Sequence, residues 1–139
     1  KWPLNSLPKG IIHADLFPDN VLFENRKISG IIDFYFSCYD FLAYDLAILV
    51  NAWCFSKKNF KQDFYENLIK GYQSVRPLTK NEKKKFNILL RGASMRFLMT
   101  RIFDKINTLK NNNVTIKDPS EYLFKLKFHQ SNNDSDAYF

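Results

Sequence analysis

A long helical pattern in the second half of the chain constrains the fold more than any other feature of the sequence. Apolar side chains recur every three or four positions over roughly thirty residues, at Phe86, Leu90, Ala93, Phe97, Ile102, Ile106 and Leu109. Thr79 and Glu82 have the spacing of a capping box, which predicts the start of this helix. Gly92 suggests an interruption, and the asparagines at 111–113 predict the end. The pattern therefore predicts a mainly helical domain.

Two further segments have the composition of helices. Residues 41–55 are apolar on nearly every side, which predicts a buried helix. Residues 59–73 carry apolar side chains at four-residue spacing, which predicts an amphipathic helix ending near Gly71. Those side chains belong to Phe60, Phe64, Leu68 and Tyr72.

The chain closes with a short helix and a polar tail. Asp118 is placed to cap a helix and Pro119 suits its first position, so we predict a helix that runs to about Phe128. The polar residues 131–139 are predicted to be frayed. Because 139 residues suffice for one core, we assign residues 1–130 to a single domain and the remainder to a tail.

The front of the chain has strand patterns instead. Ile11 and Ile12 end a first strand, and residues 21–23 and 28–34 form two more. The polar residues 24–26 predict a turn, so the second and third strands form a hairpin. The predicted fold class is α+β, mainly helical, with a small β element at its front.

The charge of the chain is positive, with 21 Lys and Arg residues against 14 Asp and Glu residues, a net charge of +7. The excess is scattered, and its densest run, Lys83 to Lys85, lies on the polar face of the long helix. No zinc-finger, RNP1 or basic-zipper pattern accompanies the charge, so we expect no nucleic-acid partner. A positive field favours an anionic small substrate, such as a nucleoside triphosphate.

Neither a membrane span nor a signal peptide is evident in the sequence. No segment approaches the roughly 18 to 20 uninterrupted apolar residues that a span requires, so we expect a cytoplasmic protein with no membrane partner. Cys38 and Cys54 stand alone in apolar surroundings, without the close spacing of a metal site. That placement predicts reduced, buried thiols.

A polar loop with the spacing H-x-D-x-x-x-x-N lies within GIIHADLFPDNVLF, residues 10–23. His13, Asp15 and Asn20 supply the pattern, and Asp33 follows the next predicted strand. In phosphoryl transfer, a carboxylate accepts the proton of the attacking hydroxyl while a divalent cation neutralises the phosphates. Asp15 is the candidate base, and the oxygen atoms of Asn20 and Asp33 suit Mg²⁺. The structural alternative is a simple turn, because Pro, Asp and Asn all favour turns.

Three polar residues near this motif have structural interpretations. His13, at a strand end, is predicted to hold the loop by hydrogen bonds, and Asp19 is predicted to shape the turn. Asp45 lies within or at the start of the apolar helix, where an unpaired carboxylate is costly to bury. We expect it either to cap that helix or to accept hydrogen bonds from the loop.

The segments HADLFPDNVLF and GIIDFYF resemble the catalytic segment of the aminoglycoside and choline phosphotransferase group, which has a protein-kinase-like fold. Later segments, among them NAWCF, GYQSVRPLT and RGASMRFLMTR, resemble the kinase-like homoserine kinases of that group. The resemblance implies transfer of the γ-phosphate of ATP to the hydroxyl of L-homoserine, a step of threonine biosynthesis. Asp15 matches the family's catalytic base, and Asn20 and Asp33 match its Mg²⁺ ligands.

The homoserine site itself is less well defined. It needs a cation for the carboxylate and an acid or aromatic face for the ammonium group. The candidates are Tyr35, Asp40, Trp53, Arg96 and Arg101. Two alternatives stay open: another acceptor, such as choline, ethanolamine or an aminoglycoside, and a noncatalytic remnant that still binds nucleotide. The sequence carries no signal of an oligomeric state.

The sequence departs from the family at its start. Kinase-like enzymes place a phosphate-covering loop and a phosphate-pairing Lys in a β-rich lobe ahead of the catalytic loop. Here only residues 1–12 precede His13, and none of the glycines forms a Gly-rich loop. We therefore expect the chain to correspond to the C-terminal catalytic lobe, and to have little or no kinase turnover by itself.

Overall fold

The computed structural model describes Trp2, residues 7–107, residues 117–132 and residues 138–139. Within these ranges, the helices are α1 (Leu42–Trp53), α2 (Gln62–Val75), α3 (Lys80–Asn107) and α4 (Pro119–Ser131). The strands are β1 (Lys9–Ile12), β2 (Val21–Glu24), β3 (Lys27–Ile31), β4 (Cys38–Phe41), β5 (Phe55–Ser56) and β6 (Asn59–Phe60). The predicted α+β class, mainly helical, is confirmed. Of the helices described, none has both the length and the apolar character to cross a membrane.

Helix α3 is the central element and packs against both α1 and α4. Its predicted capping box is confirmed: the Glu82 carboxylate accepts a hydrogen bond from the Thr79 N–H (2.8 Å), and the Thr79 hydroxyl accepts one from the Glu82 N–H (3.2 Å). The predicted interruption at Gly92 is wrong, because the helix continues through it. A Cβ there would lie 2.2 Å from the Trp2 ring, so the glycine makes room for that ring. The end predicted at residues 111–113 lies outside the described residues.

Helix α2 is displaced from its prediction at both ends. It begins only at Gln62, because the residues before it form β6, which pairs with β5. The predicted end near Gly71 is wrong. A glycine that ends a helix usually has a positive φ, and Gly71 does not. The helix continues to Val75 and ends where Arg76 becomes extended ahead of a proline (φ −137°, ψ 104°).

The predicted hairpin is confirmed as the antiparallel pair β2–β3. Asn25 and Arg26 form its turn with φ values of 50° and 62°, and this pair of positive values gives the two-residue turn that matches strand twist. The third strand is shorter than predicted. It ends at Ile31 because Asp33 takes a left-handed conformation (φ 62°) and residues 34–36 form a 3₁₀ turn.

Helix α4 begins where its sequence predicts. The Asp118 carboxylate accepts a hydrogen bond from the Ser120 N–H (2.9 Å), which satisfies one free donor of the first turn. The helix extends to Ser131, somewhat beyond the predicted end at Phe128.

The prediction of a frayed tail is wrong for Tyr138, which is 6% exposed. Its backbone carbonyl accepts a hydrogen bond from the Tyr65 hydroxyl (2.6 Å), and its own hydroxyl lies 2.8 Å from Nδ1 of His129. These bonds fasten Tyr138 to α2 and α4. Residues 133–137 lie outside the described part of the chain, and the domain limit at residue 130 stays a prediction.

The two cysteines differ in exposure. Strand β4, which the sequence did not predict, pairs antiparallel with β1 and places Cys38 opposite Ile12. The prediction of two buried thiols is wrong for Cys38, which is exposed at the start of β4. Cys54 is buried as predicted, and burial raises the pKa of its thiol to about 12.

Candidate active site

The polar loop of residues 13–20 connects β1 to β2 and is anchored on α1 by Asp45. The two carboxylate oxygens of Asp45 accept hydrogen bonds from the backbone N–H groups of His13 (3.0 Å) and Ala14 (2.9 Å). Asp45 lies in the first turn of α1, whose N-cap, Phe41, makes no side-chain cap. The capping alternative for Asp45 is therefore wrong, and the alternative in which it accepts bonds from the loop is observed.

His13 connects the loop to the segment that follows β3. Its Nδ1 accepts a hydrogen bond from the Asp15 N–H (3.2 Å), so the ring proton lies on Nε2, which donates to the Ile32 carbonyl (2.9 Å). The ring also packs against Phe34, with centroids 4.7 Å apart. These contacts support the loop-holding role predicted for His13, and they bring the two chain segments that carry Asp15 and Asp33 side by side.

Asn20 ends a 3₁₀ turn, Pro18–Asn20, and closes the loop on Asp15. Its amide nitrogen donates to the backbone carbonyl of Asp15 (2.8 Å) and to its Oδ2 (3.3 Å). Because the nitrogen is used toward Asp15, the amide oxygen of Asn20 is directed away from it. That oxygen is in the chemical form that a hard cation accepts as a ligand.

The carboxylate of Asp15 is half-buried, and its pKa is raised, first of all by that burial. The nearby guanidinium of Arg96 lowers this pKa, and the carboxylate of Asp33 raises it. Asp15 and Asp33 are thus close enough for their charges to repel each other. A divalent cation beside them would relieve that repulsion.

The donor set fits Mg²⁺, which takes one or two protein carboxylates and completes its shell with phosphate oxygens and water. Asp33 supplies an exposed carboxylate and Asn20 an amide oxygen. No group of three or more His, Cys, Asp or Glu side chains among the described residues could hold a metal by itself. This sparse set differs from a closed zinc or calcium site and requires a ligand that brings its own oxygens.

Arg96 is the candidate that the structure brings nearest to the loop. It extends from α3 and donates from Nη1 to the Ala14 carbonyl (2.6 Å). Its guanidinium lies over the rings of Phe97 (4.8 Å) and Phe36 (5.5 Å). Ala14 has a left-handed backbone (φ 63°), which is unfavourable for a residue with a side chain. The Arg96 bond holds the carbonyl side of Ala14, while Asp45 holds its N–H.

Arg101 is committed to α4 rather than to the loop. It is 9% exposed, and its Nη1 donates to the Asp118 carbonyl (2.9 Å) and to the Glu121 carboxylate (2.6 Å). Glu121 also binds Lys125, so one carboxylate bridges two buried cations. This set of bonds indicates that Arg101 fastens the start of α4 to α3.

The other three predicted substrate residues differ in their surroundings. The ring of Tyr35 is 85% exposed. Asp40 accepts a hydrogen bond from the N–H of its neighbour Phe41 (2.7 Å). Trp53, at the end of α1, donates a hydrogen bond from its indole N–H to the Leu16 carbonyl (2.9 Å) and so connects α1 to the loop.

Lys117, which the sequence did not single out, lies at the loop as well. Its ammonium is 3.2 Å from Oδ2 of Asp19 and 5.5 Å from the ring centroid of Phe17. No local pattern could have indicated this position, because the two members of the ion pair are 98 residues apart in sequence.

Comparisons with known proteins agree on a family. Residues 1–78 match the model of the phosphotransferase enzyme family. A homoserine kinase of Gluconobacter oxydans is 55% identical over 132 residues, which are 94% of this chain and 42% of that protein. Homoserine kinases of Gluconacetobacter diazotrophicus and Rhodospirillum rubrum are each 51% identical, over 99% of this chain and 43% of their own lengths. The chain thus spans about two fifths of the length of the curated relatives it matches.

Proposed function

Because this chain belongs to the phosphotransferase enzyme family, we propose that it carries the catalytic lobe of an ATP-dependent homoserine kinase. The reaction transfers the γ-phosphate of ATP to the side-chain hydroxyl of L-homoserine and yields O-phospho-L-homoserine for threonine biosynthesis. The named activity of relatives about half identical to this chain supports the acceptor. A kinase-like lobe accounts for a catalytic loop followed by a hairpin and a helical body.

One observation carries the proposal: the loop that holds Asp15 and Asn20 is bonded to the segment that holds Asp33. The Ile32 N–H donates to the Asn20 carbonyl (3.0 Å), and the Ile32 carbonyl accepts a hydrogen bond from Nε2 of His13 (2.9 Å). Asn20 bonds directly to Asp15, and the charge of Asp33 acts on Asp15. A turn with no chemical role has no need for two mutually repelling carboxylates. The arrangement suits a reaction that brings a cation and phosphates between them.

In the proposed mechanism, Asp15 accepts the proton of the homoserine hydroxyl as that oxygen attacks the γ-phosphorus. Asn20 and Asp33 would hold Mg²⁺, which neutralises charge on the phosphates when it is bound. Arg96 counteracts the burial of Asp15, because its positive charge favours the ionised carboxylate that a base requires. His13 and Asp45 keep the loop in place by hydrogen bonds to its backbone and to the neighbouring segment.

Nucleotide binding is the direct test of this site. We expect MgATP to bind the 139-residue chain, and Asp33→Asn to weaken that binding at least about tenfold, because one metal ligand loses its charge. Asp19→Asn is the matched control, since it removes an exposed carboxylate from the same loop outside the cluster. An equal loss in both variants would contradict the assignment of Asp33.

Turnover tests the acceptor. An ATP-consumption assay with L-homoserine, choline, ethanolamine and an aminoglycoside is expected to favour homoserine when this chain is joined to a β-rich nucleotide-binding lobe of the kind that kinase-like enzymes place ahead of the catalytic loop. The short chain alone is expected to show little or no turnover, because positioning of ATP needs contacts beyond this loop. A preference of the joined protein for another acceptor would exclude homoserine and leave the phosphotransferase assignment intact.

A further inference from the structure

The proposed reaction poses a charge problem at the loop. The base, Asp15, and the metal ligand, Asn20, are hydrogen-bonded to each other, so residues 16–19, which connect them, lie beside the place where the phosphoryl group would be transferred. That group carries negative charge on three oxygens. The segment between the two ends contains Asp19 and no Lys or Arg. A cation that meets the phosphoryl group here must come from elsewhere in the fold.

Among the described residues discussed above, two cationic side chains contact the loop. They differ in how tightly each is held by its surroundings. Arg96 is half-buried, bonded to the Ala14 carbonyl and held over two aromatic rings. Moving it would release the left-handed residue that it secures. Lys117 has a side chain that is 58% exposed, and it meets the loop at Asp19 and Phe17, between the base and the metal ligand.

The backbone next to Lys117 is anchored, whereas its side chain is 58% exposed. The next residue, Asp118, accepts a bond from Arg101 through its carbonyl and caps α4 through its carboxylate. The ion pair of Lys117 with Asp19 joins two exposed groups, and pairs of this kind contribute little to stability. The ammonium can therefore exchange Asp19 for a more highly charged partner without disturbing the fold.

We propose that Lys117 is a catalytic residue that contacts the γ-phosphate of ATP from the α4 side of the loop. This inference rests on the proposed phosphotransferase function. Lys117 forms no covalent bond: the acceptor oxygen bonds to the γ-phosphorus, the bond from that phosphorus to the β,γ-bridging oxygen breaks, and Asp15 takes the hydroxyl proton. The ammonium remains protonated and offsets charge on the oxygens of the transferred group, for which a compact lysine is suited.

The test compares nucleotides that differ only in the γ-phosphate. Dissociation constants of MgATP and MgADP are measured for the 139-residue chain and for Lys117→Gln, Lys117→Arg and Asp19→Asn. We expect Lys117→Gln to weaken MgATP about fivefold to tenfold and MgADP less than about twofold. Lys117→Arg should keep most of the preference for ATP. Asp19→Asn breaks the same ion pair but leaves the cation, so it should not weaken MgATP.

Each other outcome has a definite meaning. Equal losses for both nucleotides, or an unchanged ratio, would overturn the role of Lys117 and leave the proposed function standing. Similar losses in Lys117→Gln and Asp19→Asn would assign the pair to fastening α4 on the loop, which also overturns the inference. If the unmodified chain binds neither nucleotide, the same comparison is made on the chain joined to a nucleotide-binding lobe, and absence of binding there as well would overturn both the proposed function and the inference. Both residues are exposed, so thermal unfolding should show that all variants fold.

Discussion

The helical body, formed by α1, α3 and α4, packs most of the large apolar side chains of the core between its helices, whereas most of those in the hairpin region, residues 21–39, remain exposed to water. Leu46 and Phe86 of the body are 0% exposed. Phe23 and Ile28 of the hairpin are 55% and 64% exposed. An apolar cavity of about 320 Å³ also lies between the hairpin and helices α1 and α2. The body buries its own core, and the hairpin leaves apolar surface uncovered.

Polar groups show the same contrast. In the body, His129 is fully buried between the Asn51 amide oxygen and the Tyr138 hydroxyl, each 2.8 Å from a ring nitrogen. The Asn51 amide nitrogen in turn donates to the Leu90 carbonyl (3.0 Å). In the hairpin region, the described side chains contribute mainly exposed apolar surface. The difference teaches that stability resides in the body, and that the loop of residues 13–20 is positioned from there by Asp45 and Arg96.

The largest expected effect comes from breaking the buried network. His129→Ala removes the partner of both Asn51 and Tyr138 and leaves a cavity, so it should lower the free energy of unfolding by about 3 kcal/mol. Urea denaturation measures this change. Phe23→Ala in the hairpin is the matched control and should cost less than about 1 kcal/mol, since its ring is already half exposed. Comparable losses would mean that the two regions are equally important for stability.

A smaller effect on the free energy of unfolding is expected from pH, and the group responsible, His129, also lies in the helical body. Burial, with a further contribution from the charge of Lys125, lowers the pKa of His129 to about 3. An unfolded histidine titrates near 6.5. Between these values the unfolded chain binds the extra proton, so stability is complete above about pH 6.5 and falls as the pH decreases. The slope from this group is at most about 1.4 kcal/mol per pH unit.

Unfolding measured from pH 7 down to pH 5 should reveal this slope. The His129→Gln variant provides the reference, because it removes the titrating group and keeps a polar side chain. If both proteins lose stability in parallel over this range, His129 is not the group responsible.

The smallest effect is expected in the hairpin, and it is a gain. Arg26→Gly places Asn-Gly at the two positive-φ positions of the turn, the pair that such turns favour most. Removal of an unfavourable left-handed side chain should raise the free energy of unfolding by up to about 1 kcal/mol. Lys27→Gly, one position later in the strand, should be destabilising by comparison. A loss of stability in Arg26→Gly would show that the arginine side chain holds the turn.

The features that could be predicted from the sequence are those encoded by neighbouring residues. The capping box at Thr79 and Glu82, the cap at Asp118 and the hairpin turn each depend on a few consecutive positions, and all are present. Strand β4 has no such signal, because its partner β1 lies far away in sequence. Gly92 was misread for the same reason, since the ring that requires it belongs to Trp2.

The same distinction between neighbouring and distant residues holds for the candidate site. Asp15 and Asn20 form a spaced motif, and their contact follows from a turn of a few residues. Arg96 was predicted as a residue for the substrate carboxylate, but nothing in the sequence indicates its bond to the Ala14 carbonyl. Lys117 could not be found at all, because its place at the loop depends on how α4 packs against α3.

The unequal exposure of the two cysteines has a practical consequence. Cys38 stands on β4 directly opposite Ile12, the residue before His13, and is open to solvent, whereas the thiol of Cys54 is enclosed and holds its proton. A maleimide fluorophore would therefore attach at a single place without any engineering. Its emission would report, in real time, any change at the neighbouring loop of residues 13–20 when MgATP is added, and so would follow the proposed binding directly.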